Sequence, residues 1–215
     1  AELQADDFSW VALHVDDVPT IDLTEQLWID VMRAHGIEVG AWGVAGMDPV
    51  ASAAVADYAI RTFGFDFYIA DAEAPYEKTD HGYGRSSLFV RAFRALQPTI
   101  PAALVTLGAA RGPYVLPIDF ASWRNAGFEL LPEAYYNQSR YYRPDLTVAH
   151  AIRAGWPVSL VHPVIGVYHH YPASRYVPLL ETDGAEGFSV FLADQATPAD
   201  FAALAALAAA TIPSG

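Results

Sequence analysis

The feature that most constrains the fold is a regular alternation of strand-like and helical segments. Seven short apolar segments have centres roughly 30 residues apart, the length of one strand-plus-helix unit. The predicted strands are Trp10–Val15, Glu38–Val44, Phe65–Ala70, Ala102–Leu107, Phe128–Tyr135, Val158–His162 and Gly187–Ala193, with an ambiguous eighth at Tyr114–Ile118 or Val164–Tyr168. Helical periodicity fills most of the gaps, so the pattern predicts an α/β fold with a parallel sheet and helices outside it.

Local start signals support the helices between these strands. Asp48-Pro49 is typical of an N-cap followed by proline at the first helical position, and Thr197-Pro198 repeats that signal before the last helix. The segment Asp80–Arg85 contains two glycines and is predicted to be a loop over the third strand, either a substrate lid or a plain connection.

Such a sheet can stay open and doubly wound or close into a barrel. The residues after the first strand, His14 to Pro19, contain no glycine-rich phosphate-binding turn, which disfavours an open nucleotide-binding sheet. We therefore predict a small, irregular (β/α)8 TIM-like barrel. No linker or low-complexity tract divides the 215 residues, so we expect one domain spanning 1–215.

Composition excludes several classes of function. The net charge of −13 repels phosphate backbones, so we expect no nucleic-acid partner. No apolar run approaches the ~18 residues that a membrane span needs. The chain contains no cysteine, which rules out disulfides, thiolate metal sites and thiol nucleophiles. We predict no cofactor.

The first residues, Ala1 to Gln4, have neither the basic nor the apolar region of a signal peptide, so we expect none there. The absence of an initiator Met indicates a processed chain or a piece of a longer one. We expect an extracellular or virion-associated location, and a cytoplasmic one stays open.

Polar side chains lie at the predicted carboxyl ends of the strands, where parallel barrels carry their active sites. Alternation places Asp71 and Glu73 on one face of the third strand, ~7 Å apart. Asp16 follows the first strand, and Glu133 lies near the end of the fifth. The predicted substrate-binding residues, at or near such ends, are Trp42, Tyr76, Tyr135, Asn137, His162 and Gln195.

Acidic and aromatic groups at one edge are what glycoside hydrolysis needs. One carboxylic acid must give a proton to the leaving oxygen, while a second carboxylate attacks or stabilises the oxocarbenium-like centre. Two carboxylates held close together push their pKa values apart, which supplies one acid and one base. Aromatic faces can stack on the sugar rings.

The segment Phe65–Glu73 resembles the D-x-x-D-x-D-x-E strand motif of chitinase-type glycosidases. Asp66, Asp71 and Glu73 match the motif, and Ile69 stands at its remaining Asp. The shorter D-x-E also resembles the strand-end motif of the muramidase barrels of phage endolysins and secreted bacterial lysozymes. This resemblance, which covers about nine residues, implies that Glu73 is the proton donor and that Asp71 supports it.

Three functions stay open at this point. The first is a glycoside hydrolase acting on a cell-wall or surface polysaccharide, with Glu73 as acid and Asp71, Glu133 or Asp16 assisting. The second is a structural or carbohydrate-binding barrel without catalysis, for example in a phage tail, with other copies or components of a larger assembly as partners. The third is a metal-dependent phosphoesterase, whose ligands would be His14, Asp16, Asp71, Glu73 and His162.

Overall fold

A computed structural model describes residues 8–15, 23–107, 118–168, 171–191 and 195–211. The described residues fall into two compact units. The first unit runs to Val105 and includes 118–129, and the second begins at Thr106 and continues from Leu130. No helix in the described ranges combines the length and apolarity needed to cross a bilayer.

The first unit contains four parallel strands that pair in chain order. They are β1 (Trp10–His14), β2 (Glu38–Val44), β3 (Tyr68–Asp71) and β4 (Ala102–Thr106). The helices of this unit are α1 (Leu23–Ala34), α2 (Pro49–Phe63), α3 (Ala74–Tyr83), α4 (Arg85–Leu96) and α5 (Phe120–Asn125). This is the predicted alternation of strand and helix with parallel pairing.

Helix α2 begins and ends where local sequence signals place it. The Asp48 side chain accepts hydrogen bonds from the N–H groups of Val50 and Ala51, and Pro49 occupies the first turn. Gly64 ends the helix with φ 66° and donates its N–H to Ile60 O. A left-handed residue at this position favours glycine because it has no Cβ.

Aromatic side chains form the core of the first unit. Phe89 and Phe93 stack with ring centroids 5.8 Å apart, and Trp123 lies 5.2 Å from Phe89 and 5.0 Å from Phe128. Phe89, Phe93 and Trp123 are fully buried. Their burial attaches α4 and α5 to the start of the strand that follows them.

The second unit contains three strands, also parallel and paired in chain order. They are β5 (Phe128–Ala134, of which the first two residues belong to the first unit), β6 (Val164–Gly166) and β7 (Ser189–Phe191). Its helices are α6 (Pro144–Arg153), α7 (Val177–Asp183) and α8 (Pro198–Thr211). The buried core is Ile165, Val167, Ala173, Tyr176, Leu180, Leu204 and Leu207.

The predicted strand Val158–His162 is wrong. Val158–Leu160 is a 3-10 turn that follows Pro157, and Val161 makes only an isolated bridge to Leu130. The apolar run turns because the Leu160 N–H bonds back to Pro157 O. The sixth strand is instead part of the ambiguous segment Val164–Tyr168, while 114–117 of the other candidate lie outside the described residues.

The predicted loop Asp80–Arg85 is also wrong. Helix α3 continues to Tyr83, and Gly84 (φ 60°) joins it directly to α4 at Arg85. Asp80 is fully buried. The glycine that favoured a loop therefore marks one sharp turn between two helices.

Candidate active site

The sheet of the first unit has one face packed on helices and one turned away from them. Tyr68 packs on Phe93 of α4 with ring centroids 5.4 Å apart. Because side chains alternate along a strand, Ile69 and Asp71 belong to the opposite face. We call this the helix-free face; it carries Asp71, the predicted catalytic residue of β3.

Aromatic groups lie on the helix-free face below Asp71. His14 is in register with Trp42, and Trp42 with Ile69. The centroids of the His14 and Trp42 rings lie 4.1 Å apart, and the ring planes are tilted by 32°. His14 is exposed and Trp42 half-buried, so the pair presents an aromatic surface at the ends of β1 and β2.

Asp71 and Glu73 lie at the carboxyl end of β3. Asp71 is half-buried, and its carbonyl accepts the Ala45 N–H at 2.7 Å. Glu73 is exposed, and although it occupies the N-cap position of α3, its side chain makes no capping hydrogen bond. Carboxylate oxygens of the two residues approach within 4.8 Å. The two carboxyls therefore lie close together at the carboxyl end of β3.

Asp66, the first residue of the motif, has a structural role. Its Oδ2 accepts the Val39 N–H at 2.9 Å and the Arg33 guanidinium at 3.1 Å. These bonds fix the start of β2 and a side chain from the end of α1 to the segment before β3. Asp66 therefore acts at the opposite end of the strand from Asp71 and Glu73.

Tyr76 does not offer a surface for a sugar ring. It is fully buried in α3, with its ring centroid 6.1 Å from Trp123. Burial, together with the negative charge of Asp80, raises the pKa of its phenol. Asp80 accepts the N–H groups of Ser86 and Asp119, both at 2.8 Å. The predicted stacking role of Tyr76 gives way to a role in the core.

The second unit carries Glu133 on β5, in register with Val164. Ala134 pairs with Ile165 of the buried core, so Glu133 points to the face turned away from that core. Its side chain is almost fully buried, with 2% exposure. A catalytic role for Glu133 stays a prediction.

Aromatic rings surround Tyr135 where the strands of the second unit end. The Tyr135 ring stacks with Phe191 at 5.7 Å and meets Tyr168 edge-on at 5.8 Å. A Cβ on Gly166 would lie 2.5 Å from the Tyr168 ring, so glycine makes this packing possible. Tyr168 and Phe191 were not among the predicted site residues, although the alternation of Phe191 with Ser189 on β7 is visible in the sequence.

Two other predicted binding residues lie beyond strand ends. The Asn137 side chain accepts a hydrogen bond from the Tyr176 hydroxyl at 3.1 Å, and the Asn137 N–H donates to the same hydroxyl at 3.2 Å, so Tyr176 holds the backbone just after β5. Gln195 is exposed just before α8. Their sugar-binding roles stay predictions.

Two predicted residues are not at a described strand end. His162 precedes β6, and its N–H donates to Leu130 O near the start of β5; the reason for placing it in a binding site therefore no longer holds. Its roles in sugar binding and as a phosphoesterase ligand stay predictions. Asp16 lies outside the described residues.

Comparisons with known proteins identify the fold. The chain is similar to an endo-β-N-acetylglucosaminidase from Cordyceps militaris, with a TM-score of 0.64 and 12% identity over 99% of this chain and 84% of the other. It is similar to a GH18 chitinase from Pseudoalteromonas aurantia, with a TM-score of 0.67 and 12% identity over 98% and 95%. No protein-family model matches the chain, and a search of curated proteins finds no match.

These similarities confirm the predicted fold class. The chain is a small α/β TIM-like barrel of the type found in chitinase-type glycoside hydrolases. At 12% identity the likeness concerns the fold, and the chemistry must be argued from the residues.

Proposed function

We propose that the protein hydrolyses a cell-wall or surface polysaccharide outside the cell or on a virion, with Glu73 as general acid. The observation that carries this proposal is the Asp71–Glu73 pair, whose carboxylates approach within 4.8 Å at the carboxyl end of β3. This is the end at which TIM barrels perform their chemistry. The glycosidase fold of the similar structures supports the same conclusion.

The two carboxyls differ in a way that suits separate roles. Glu73 is exposed and makes no capping bond, so its carboxyl is accessible to a glycosidic oxygen. Asp71 is half-buried above an apolar row formed by Trp42, Ile69 and Ala103. Asp71 would hold the Glu73 carboxyl in the orientation needed to give its proton to the glycosidic oxygen.

A second carboxylate must stabilise the positive charge that develops on the sugar ring. Glu133 and Asp16 are our candidates for this role. The adjacent rings of His14 and Trp42 would support a sugar ring by contact with its C–H face, because that face is apolar.

A non-catalytic glycan-binding barrel is the second candidate. Ile69 favours it, since this residue places an apolar sec-butyl side chain where the motif that the segment resembles has a carboxylate. The aromatic rings at the strand ends would serve binding as well as catalysis.

Release of reducing ends from peptidoglycan and from chitin oligomers tests the two candidates. Hydrolysis by the native chain that is lost in Glu73→Gln supports the enzyme. Glycan binding by both proteins without any product supports the binding barrel. Full hydrolysis by Glu73→Gln would show that another residue is the acid.

A further inference from the structure

The loop that connects β5 to α6 differs in composition from the rest of this acidic protein. Its nine residues, Tyr135–Arg143, include four tyrosines, two arginines and no acid, in a chain with net charge −13. The segment begins where β5 ends, at the edge of the second unit that also carries the Tyr135–Phe191 stack. We call it the Arg–Tyr loop. The proposed hydrolysis uses only its first residues.

The Arg–Tyr loop is held by its own hydrogen bonds. The N–H groups of Gln138 and Ser139 donate to Tyr135 O at 2.8 and 3.2 Å, and the Tyr142 N–H donates to Ser139 O at 2.9 Å. The Tyr141 N–H donates to Ser139 Oγ at 3.3 Å. A loop folded on itself in this way presents its outer side chains with little ordering cost on binding.

Arg140 and Tyr141 form the outer part of this loop. The Arg140 guanidinium carbon lies 5.1 Å from the centre of the Tyr141 ring, and Nη2 donates to the Tyr141 hydroxyl at 3.0 Å. Arg140 is exposed, and Tyr141 is 54% exposed. The contact aligns a planar cation and a phenol ring on one accessible surface.

The two arginines of the loop differ in whether a carboxylate pairs with them. Arg143 forms a two-pronged pair with Asp145, with nitrogen–oxygen distances of 2.9 and 2.8 Å. Within the described part of the chain, Arg140 pairs with no carboxylate. Among the described residues, Arg140 therefore carries a positive charge that no carboxylate pairs, in the loop that follows β5.

We propose that the Arg140–Tyr141 pair is a subsite for an acidic sugar unit, so that the polysaccharide bound by this protein carries carboxylate or phosphate groups. This inference rests on the proposed function and names its substrate class. A guanidinium matches both anions with two parallel hydrogen bonds, and the Tyr141 ring offers a face to the sugar. Because the protein as a whole repels polyanions, a local cation is required to admit such a chain.

Calorimetry on the Glu73→Gln protein tests the subsite without turnover. The probes are a hexuronic acid oligomer, a phosphate-bearing sugar oligomer and a neutral N-acetylglucosamine oligomer, each at low and at physiological salt. We expect at least one acidic oligomer to bind tenfold or more tightly than the neutral one at low salt, because a charge-assisted bond contributes about that factor. The acidic oligomer that binds more tightly identifies the anion.

Charge-matched variants then locate the effect. Arg140→Gln should weaken binding of the preferred acidic oligomer about tenfold. Arg153→Gln removes one exposed charge from the last turn of α6 and should leave that affinity unchanged. Equal losses in both variants, or no preference for acidic oligomers, would overturn the subsite.

The test of the acidic-sugar subsite and the test of the proposed hydrolysis can fail independently of each other. Neutral oligomers cleaved by the native chain, with no acidic preference, would refute the subsite and leave the enzyme. Acidic oligomers bound through Arg140 but never cleaved would refute the enzyme and leave the subsite.

Discussion

Glu73→Gln should separate catalysis from stability. Glu73 is exposed, and its side chain makes no capping bond to α3. Glutamine keeps its shape and one acceptor oxygen. We therefore expect the free energy of unfolding to change by less than about 0.5 kcal/mol, as for other exposed substitutions, and the melting temperature by no more than ~2 °C.

The same change should nearly abolish turnover. A positioned general acid accelerates proton transfer to the leaving oxygen by about 10²–10⁴-fold, equivalent to ~2.7–5.4 kcal/mol in the activation barrier. We expect kcat/KM on a natural oligosaccharide to fall by that factor. The loss should be much smaller on an aryl glycoside whose phenol leaves without protonation, since that substrate does not need the acid.

Glu38→Gln is the matched control. Glu38 is exposed at the start of β2, the end of the strand away from Asp71 and Glu73. The Glu38→Gln substitution removes the same charge as Glu73→Gln and should leave kcat/KM unchanged. Equal losses on the natural and the aryl substrate would refute the assignment of Glu73 as proton donor, and so would native-like rates on both.

Three further changes test packing and charge elsewhere in the two units. In Gly40→Ala, the new Cβ would lie 2.3 Å from the Phe67 ring, so chemical denaturation should show a loss of about 1–3 kcal/mol that Phe67→Leu partly restores. Burial raises the pKa of Asp183 to about 6, so its charged form is unfavourable in the fold. Asp183→Asn should stabilise the protein by ~1 kcal/mol above pH 6 after allowance for solvent screening, a gain that fades as pH falls towards 4 and whose absence in melts at pH 8 would contradict the burial argument. For Asp200, burial alone would raise the pKa, but hydrogen bonds from Ala173 and the helix cap outweigh it and lower the pKa. Its stabilisation is therefore complete above the unfolded-state pKa of about 4 and is lost as the pH falls through the lower pKa of the folded state. Asp200→Ala should cost ~1–2 kcal/mol at pH 7 and progressively less as the pH falls below about 4.

Short-range signals in the sequence predicted the local structure well. Asp48-Pro49 begins α2 as expected, because an N-cap depends on a side chain and N–H groups two and three residues away. Thr197 likewise begins the last helix, where the Thr197 N–H donates to Asp200 Oδ2 at 2.9 Å. The strand alternation predicted for Asp71 and Glu73 does not extend to Glu73, because β3 ends at Asp71 and Glu73 is the N-cap residue of α3.

Predictions that required a distant partner were less successful. The apolar run Val158–His162 has strand composition, but the turn after Pro157 and its lone bridge to Leu130 prevent it from joining the sheet. β3 begins at Tyr68 instead of Phe65. A strand exists only where a neighbouring strand supplies hydrogen bonds, and no local pattern specifies that neighbour.

The sequence alone determined the alternation of strand and helix, the acidic character and the D-x-E pair, since each depends on composition or on residues within one element. Only the tertiary structure decided that Tyr76 belongs to the core beside Trp123 and that Asp66 binds Val39 and Arg33. It also decided that Arg143 pairs with Asp145, whereas Arg140 pairs with no carboxylate of the described residues. Burial and pairing are properties of what surrounds a side chain, and those surroundings come from segments remote in the chain.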